Sequence, residues 1–276
     1  PKNIYIQGCL INDWPSLKFR GAHLFTGNQA LPFHKKLIDR IFSRFKMNNL
    51  LLSVDFIKWK TDPQLAIDFS MDQSDIKKEL AYANEHFITV SPILQSMGHS
   101  DWIFSNGKNR DLAECPEKPY SYCPLNPRTY KYVLPFYDEV VKLFNNPKMV
   151  HIGHDEVVEP GGFPKHEACK KVGFEKLFVD DILKVREHLK KLGCNTMMWG
   201  DMMLFRGDDP DAMNAKSPEA AKWVRDRLPK DVAITDWHYG DGKPEEFKSV
   251  EIFHKAGHKT IGASWYTPAN IQNLSK

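Results

Sequence analysis

An α/β chain folded as a TIM-type (β/α)8 barrel, with the last strand not visible within it, is the fold this sequence predicts, on three observations. Strand-like apolar runs alternate with stretches of helical period in units of about 30 to 50 residues, which implies a parallel sheet covered by helices. Polar or aromatic residues recur where the candidate strands end, and barrels carry their sites at that end. No Gly-x-Gly-x-x-Gly follows the first strand, which disfavours the alternative, a doubly wound open sheet.

The elements follow in order. Residues 2–11 read as a strand or hairpin arm, so residues 1–17 are assigned to an N-terminal arm or the end of a preceding domain, and residues 18–276 to the barrel. Residues 18–24 are the first barrel strand. Residues 33–45 are a helix with Leu37, Ile38, Ile41, Phe42 and Phe45 at helical spacing. Residues 48–55 form a second strand whose Leu run is buried on both faces. Asp72 caps the next helix, with Asp75 three residues on and Ile76, Leu80 and Ala83 inward. Residues 87–94 are the third strand. The stretch 95–127 is too long for a plain connection, and loops of that length are usually functional.

Residues 128–144 are a helix with Val133, Tyr137, Val140, Val141 and Phe144 inward, followed by the fourth strand at 149–157. Residues 174–192 are helical and 195–201 the fifth strand. Ser217 and Pro218 open a helix as cap and first-turn proline. Residues 232–237, 245–256 and 259–265 complete the series as strand, helix and strand. Seven units are visible, so an eighth strand is expected outside residues 1–276, in further chain or a partner.

Length and composition limit the function classes. The 276 residues, 42% of them hydrophobic, suit one sizeable core. A net charge of +3, from 38 basic and 35 acidic residues, gives no strong field for nucleic acid or membrane surfaces, so neither partner is expected. No apolar run approaches the roughly 18 residues of a membrane span. A start at Pro1 rather than Met implies a processed or excised piece. The five cysteines, Cys9, Cys115, Cys123, Cys169 and Cys194, are odd in number and contain no Cys-x-x-Cys pair. That argues against a structural zinc and a full disulfide framework. Only Cys115 and Cys123 are close enough in sequence for a local bridge. Free thiols are the preferred reading and slightly favour a reducing compartment such as the cytoplasm, while the start at Pro1 leaves localisation open.

Chemistry concentrates in Met149-Val150-His151-Ile152-Gly153-His154-Asp155-Glu156-Val157, an apolar run that ends in two adjacent carboxylates. In a strand, Val150 and Ile152 face one way and His151, Gly153 and Asp155 the other. Glu156 falls where strand gives way to loop and can turn toward the same cavity. A metal reading exists, since His151, His154, Asp155 and Glu156 are possible ligands. Alternation places the two histidines on opposite faces, so no metal is assigned. Around this pair the strand ends carry Asp55, His99, Trp199 with Asp201, Trp237 with Tyr239, and Trp265 with Tyr266. Aromatic faces stack on the apolar face of a pyranose and carboxylates bind its hydroxyls, so the ring of residues reads as a sugar cage.

His151-Ile152-Gly153-His154-Asp155-Glu156 resembles the His-x-Gly-x-Asp-Glu signature of family 20 glycoside hydrolases, the β-N-acetylhexosaminidases. Arg20-Gly21-Ala22-His23-Leu24 resembles that family's first strand, Lys46-Met47-Asn48 the approach to its second, and Gln95-Ser96-Met97-Gly98-His99-Ser100 its Gly-His loop. Cys123-Pro124-Leu125-Asn126-Pro127 and Trp237-His238-Tyr239 are closest to the hexosaminidase D-like branch. The family's usual Asp after His-Leu is Phe25 here, and the acidic end of its second strand is reduced to Asp55-Phe56.

The resemblance implies removal of a terminal β-linked N-acetylhexosamine, with GlcNAc and GalNAc both open, by retaining, substrate-assisted catalysis without a cofactor. It makes Glu156 the general acid/base and Asp155 the partner of the acetamide. Tyr239 would orient the acetamide oxygen, with Tyr266 as the alternative. Arg20, Asp55, His99, Trp199, Asp201, Trp237, Trp265 and Tyr266 would contact substrate or support those that do, with His99 and Asp55 forming a relay to Glu156. For Asp201 a capping or ion-pair role is the competing expectation. The rival classes are a catalytically silent carbohydrate-binding barrel and a metal-dependent barrel hydrolase.

Overall fold

The computed structural model describes residues 8–158, 163–209 and 211–276. Among them, β1 (Gly21–Phe25), β2 (Asn49–Ser53), β3 (Thr89–Ser96), β4 (Met149–Gly153), β5 (Asn195–Trp199), β6 (Ala233–Trp237) and β7 (Thr260–Ala263) form one parallel sheet in sequential order. Register runs from Gly21↔Asn49 between the first pair to Trp237↔Ala263 between the last, with one irregularity in β3 between Ile93 and Ser96. Parallel neighbours require crossover connections. These carry the helices α1 (Ala30–Leu37), α2 (Gln73–Glu85), α3 (Thr129–Leu143), α4 (Glu167–Val172), α5 (Phe174–Lys191), α6 (Pro218–Arg227) and α7 (Ser249–Lys255), and α8 (Pro268–Leu274) follows β7. The result is a (β/α)8 barrel wall lacking its last strand, with β1 and β7 as the edges among the described residues.

Side-chain alternation sorts each strand between two cores. Val150 and Ile152 of β4 and Met198 of β5 pack outward under the helices. Met197 and Trp199 pack inward with Leu51, Ile93 and Ala233. His151 also faces inward, its ring 4.6 Å from that of Trp199. The helix side is closed by stripes such as Val133, Phe136, Tyr137, Val140 and Val141 of α3, all buried. Each large apolar side chain of that kind contributes about 1.5 to 3 kcal/mol by leaving water. Ser217 caps α6 as expected, its Oγ accepting the Ala220 N–H at 3.1 Å, with Pro218 in the first turn.

Several elements differ from the sequence reading. Residues 8–17 form no strand, and the rest of the 2–11 arm lies outside the described residues. The helix of 33–45 begins at Ala30 and ends in a π turn over Ile38–Phe42. The wider turn shifts the helical phase, so Ile38 and Phe42 are buried while Ile41 and Phe45 face outward. Asp72 occupies the N-cap position of α2 without capping it, because its carboxylate pairs with Lys58 Nζ at 3.0 Å. The third strand starts at Thr89 because Phe87, with φ 60°, belongs to the turn leaving α2. The helix of 245–256 regularises only from Ser249. Most consequential, β4 stops at Gly153 rather than running to Val157.

Candidate active site

The end of β4 is a change of backbone hand. Gly153, His154 and Glu156 have φ of 75°, 69° and 47°, a region where non-glycine residues are uncommon and cluster at functional turns. Asp155 therefore reaches the barrel mouth through a strained turn and not by strand alternation. Buried contacts hold the turn. His154 Nε2 lies 2.8 Å from Asp181 Oδ2 of α5. Gly98 passes so close to the Asp155 carbonyl that a β-carbon there would overlap it.

The two carboxylates meet on one imidazole. His99 Nε2 lies 3.1 Å from Glu156 Oε2 and 3.4 Å from Asp155 Oδ2. The Asp155 side chain is 15% exposed and that of Glu156 is 40% exposed. Asp155 Oδ1 is buried and accepts no hydrogen bond from the described residues. Burial, and then the nearby charge of Asp201, push the Asp155 carboxyl well above its ordinary range. A ligand N–H donated to Asp155 would favour its charged form. His99, Asp155 and Glu156 also offer three donor atoms within 4.8 Å of one another, so they are the active-site residues able to hold a cation.

The fixed support comes from β5 and β6. Asp201 Oδ2 accepts the Glu156 backbone N–H at 3.0 Å and the Asn214 amide at 2.8 Å, and Oδ1 accepts Trp237 Nε1 at 3.3 Å. Burial raises its pKa to about 6. Beyond it an aromatic ladder leads outward: Trp237 to Tyr239 at 4.7 Å, Tyr239 to Trp265 at 4.4 Å, and Trp265 to Tyr266 at 5.4 Å between ring centres. The Tyr239 hydroxyl is pushed up to about 12, first by burial and then by the charges of Asp155 and Glu156. Tyr266, at the outer end, is 78% exposed.

On the other side, a cavity of about 320 Å³ is lined by Phe25, Asp55, Gln95, His99 and Asp101 among others. Asp55 Oδ1 accepts the Gln95 N–H at 2.8 Å, and burial raises its pKa to about 7. Asp55 and His99 share this cavity without a direct hydrogen bond, so the expected relay is not assembled as a contact. Trp199 lies on the barrel floor, buried against His151 and His23. Arg20 is not brought to the site. It precedes β1, so it lies at the opposite end of a parallel barrel, and its guanidinium donates to the carbonyls of Leu17, Lys18 and Lys46.

Three site residues escaped the sequence reading. Tyr120, from the long loop, stacks edge-on against His99 at 5.0 Å and donates to the Glu156 carbonyl at 3.3 Å. Asn214 shares Asp201. Asp211 accepts the N–H groups of Tyr239 and Gly240, both at 2.8 Å, and lies 2.7 Å from His238 Nδ1. Burial disfavours charge on His238, but Asp211, Asp236 and Asp209 outweigh it and raise its pKa to about 10. This buried ion cluster fixes the corner that presents Tyr239. The signal for Tyr120 was its place in a long loop; nothing local marks the others.

The wall of parallel strands, the mouth at their C-terminal ends and the paired carboxylates define a barrel-type catalytic domain. Residues 18–269 match the family model for the glycosyl hydrolase family 20 catalytic domain, and the chain belongs to that family. It is 30% identical over 175 residues to beta-hexosaminidase subunit A2 of Dictyostelium discoideum, covering 57% of this chain and 31% of that protein. It is 26% identical over 243 residues to beta-hexosaminidase of Vibrio furnissii, covering 71% and 39%. To hexosaminidase D of Bos taurus it is 25% identical over 201 residues, covering 69% and 54%. The chain thus spans roughly a third to a half of the length of these relatives. Among solved structures, the fold is similar to Flavobacterium johnsoniae chitobiase, with TM-score 0.69, 22% identity and 91% of this chain against 39% of that one. It is also similar to a Bacteroides fragilis β-N-acetylhexosaminidase, with TM-score 0.68, 20% identity and coverage of 94% and 56%.

Proposed function

We propose that residues 18–276 form the catalytic barrel of a retaining β-N-acetylhexosaminidase that removes a terminal β-linked GlcNAc or GalNAc with help from the substrate's own acetamide. Residues 1–17 are assigned to an arm outside it. The observation that carries the reading is the sharing of His99 by Asp155 and Glu156, at 3.4 and 3.1 Å. Adjacent residues whose carboxyls both turn to one imidazole approach from the same side of the mouth, which suits an acid and an acetamide partner and not the opposed pair, about 5 Å apart across the anomeric carbon, of an ordinary retaining enzyme. The nucleophile then comes from the substrate, the exception for which family 20 is known.

In this mechanism the acetamide oxygen attacks the anomeric carbon while Glu156 protonates the leaving oxygen, giving an oxazolinium ion. Glu156 then takes a proton from the water that opens it. Asp155 Oδ1 accepts the acetamide N–H and stabilises its growing positive charge. Tyr239 directs the acetamide oxygen. Trp237 and Trp265 form walls for the sugar, and Trp199 its floor. Asp201 and Tyr120 hold the backbone of Glu156. Asp55 and His99 line the side cavity, and Arg20 has no role in the proposal. The partner is a glycan ending in N-acetylhexosamine, and the free thiols fit a cytoplasmic setting. No helix among the described residues is long and apolar enough to cross a membrane. Aryl β-N-acetylglucosaminide, β-N-acetylgalactosaminide and β-glucoside assayed side by side test the reading. Cleavage of the two acetamido sugars is expected, and equal turnover of the glucoside would overturn it.

A further inference from the structure

We propose that Glu114, Cys123, His166 and Cys169 form a tetrahedral zinc-type metal site that clamps the loop after β3 to the segment after β4. The four side chains come from two separate stretches, 114–123 and 166–169, and their ligand atoms all lie within 4.8 Å of one another. Cys123 Sγ is 3.5 Å from Cys169 Sγ, too far for a disulfide, whose sulfurs stand about 2.05 Å apart. His166 Nδ1 is 3.4 Å from Cys123 Sγ and 3.3 Å from Glu114 Oε2. Cys169 Sγ is 3.4 Å from Glu114 Oε2.

Those four separations match four of the six edges of a coordination tetrahedron, and the other two pairs lie within 4.8 Å. Zinc bonds of about 2.3 Å to sulfur and about 2.0 to 2.1 Å to nitrogen or oxygen give edges of about 3.8 Å between sulfurs, about 3.6 Å from sulfur to nitrogen or oxygen, and about 3.3 Å from nitrogen to oxygen. Two thiolates, one imidazole and one carboxylate are a donor set that suits zinc and excludes magnesium or calcium, which take oxygen ligands. The carboxylate is aimed by its other oxygen: Glu114 Oε1 accepts the backbone N–H groups of Lys165 at 2.6 Å and His166 at 2.7 Å. Outer hydrogen bonds of this kind orient metal ligands. Glu114, Cys123 and Cys169 are buried, while the His166 side chain is 44% exposed and gives the ion a way in. The sequence lacks a Cys-x-x-Cys pair, but His166-x-x-Cys169 supplies the short-spaced half of such a site.

The site has a structural consequence. Glu114 and Cys123 flank the Ala113↔Tyr122 bridge, so the metal would close the base of the turn that carries Tyr120 and Ser121. Those two residues donate to the carbonyls of Glu156 at 3.3 Å and Val157 at 3.0 Å. Binding releases the thiol protons and joins both catalytic loops below the substrate, without touching it. The four residues are therefore positioning residues.

The test loads the purified full chain with zinc, dialyses it and measures metal by mass spectrometry, then repeats the loading with cobalt(II). One zinc per chain and intense tetrahedral cobalt bands with thiolate charge transfer are expected. His166→Ala removes an exposed ligand, should still fold, and should weaken zinc binding at least tenfold. Cys123→Ser with Cys169→Ser should abolish the charge-transfer band. Zinc should also raise the melting temperature of the wild type and not of the double variant. No retained zinc, cobalt spectra unchanged by either set of substitutions, or a Cys123–Cys169 disulfide in the non-reduced protein would each overturn the proposal. None of these readouts depends on hexosaminidase activity.

Discussion

The backbone N–H of Glu156 is held by Asp201 Oδ2 at 3.0 Å, so the residue proposed as general acid is aimed by a buried carboxylate 45 positions away in sequence. Asp201 sits at the start of the loop after β5, and its remaining acceptor capacity goes to Asn214 and Trp237. Asp201 is 1% exposed, so it is proposed to act from behind the substrate-facing residues.

Asp201→Ala should accordingly lower kcat by about 10- to 100-fold, since a buried donor left without its acceptor costs about 1 to 3 kcal/mol and the turn it steadies carries the acid. KM should change little for small aryl substrates. Asp201→Asn keeps one acceptor oxygen and should recover part of the loss. Steady-state kinetics of both variants check this, and a KM effect without a kcat effect would assign Asp201 to sugar binding instead.

Asp55 makes a prediction about stability and pH. Burial lifts its folded-state pKa from 3.8 to about 7, so between those values the folded chain binds a proton that the unfolded chain has released. Its contribution to stability is fully present near pH 4 and declines as pH rises through 7. Asp55→Asn, which stays neutral, removes that decline. Urea unfolding of the two proteins from pH 4 to pH 7.5 should show the wild type losing ground to the variant by an amount on the order of a few kcal/mol. A constant difference across the range would mean that the carboxyl is not held protonated.

Gly98 offers a test of how tightly the two loops are fitted. A β-carbon at this position would overlap the Asp155 carbonyl and crowd the Cα of Val157. Gly98→Ala should push the β4 turn outward, and misplacement of about 1 Å at reacting groups costs on the order of 100-fold. Turnover of N-acetylhexosaminides should fall by that factor with far-UV circular dichroism unchanged. Undiminished activity would show that the turn yields without consequence.

The elements were legible where one period dominated. The Leu run of β2, the alternation of Val150, His151 and Ile152, and the α3 stripe each show their burial in the order of residues, and the structure follows them. Legibility failed where the backbone leaves a regular period. The π turn at Ile38–Phe42 rotated Ile41 and Phe45 outward, and the left-handed turn at Gly153 and His154 broke the alternation that was to place Asp155. Arg20 shows another limit. The residues around it match a family strand, but a residue that enters a parallel strand from its N-terminal side sits far from the mouth. Asp211 and the Glu114 cluster were invisible because their partners lie tens of residues away, and only folding brings them together.

The division of labour between the two carboxylates tests the mechanism most directly. Glu156→Gln removes the acid, so hydrolysis of natural glycosides, whose leaving groups need protonation, should fall by about 100- to 10,000-fold. Activated aryl glycosides need less protonation, and their first step should suffer less. Asp155→Asn should depress both substrate types alike, because the buried Oδ1 supports the acetamide whatever group departs. A thiazoline analogue of the oxazolinium ion separates this from a general loss of structure. It should bind wild type far more tightly than substrate, as expected for a species close to the transition state, retain most of its affinity for the Glu156 variant, and lose affinity for the Asp155 variant. Inhibition constants measured for the three proteins decide the matter. A thiazoline that fails to inhibit wild type, or binds the Asp155 variant equally well, would rule out the acetamide as nucleophile and leave Asp155 without its assigned role.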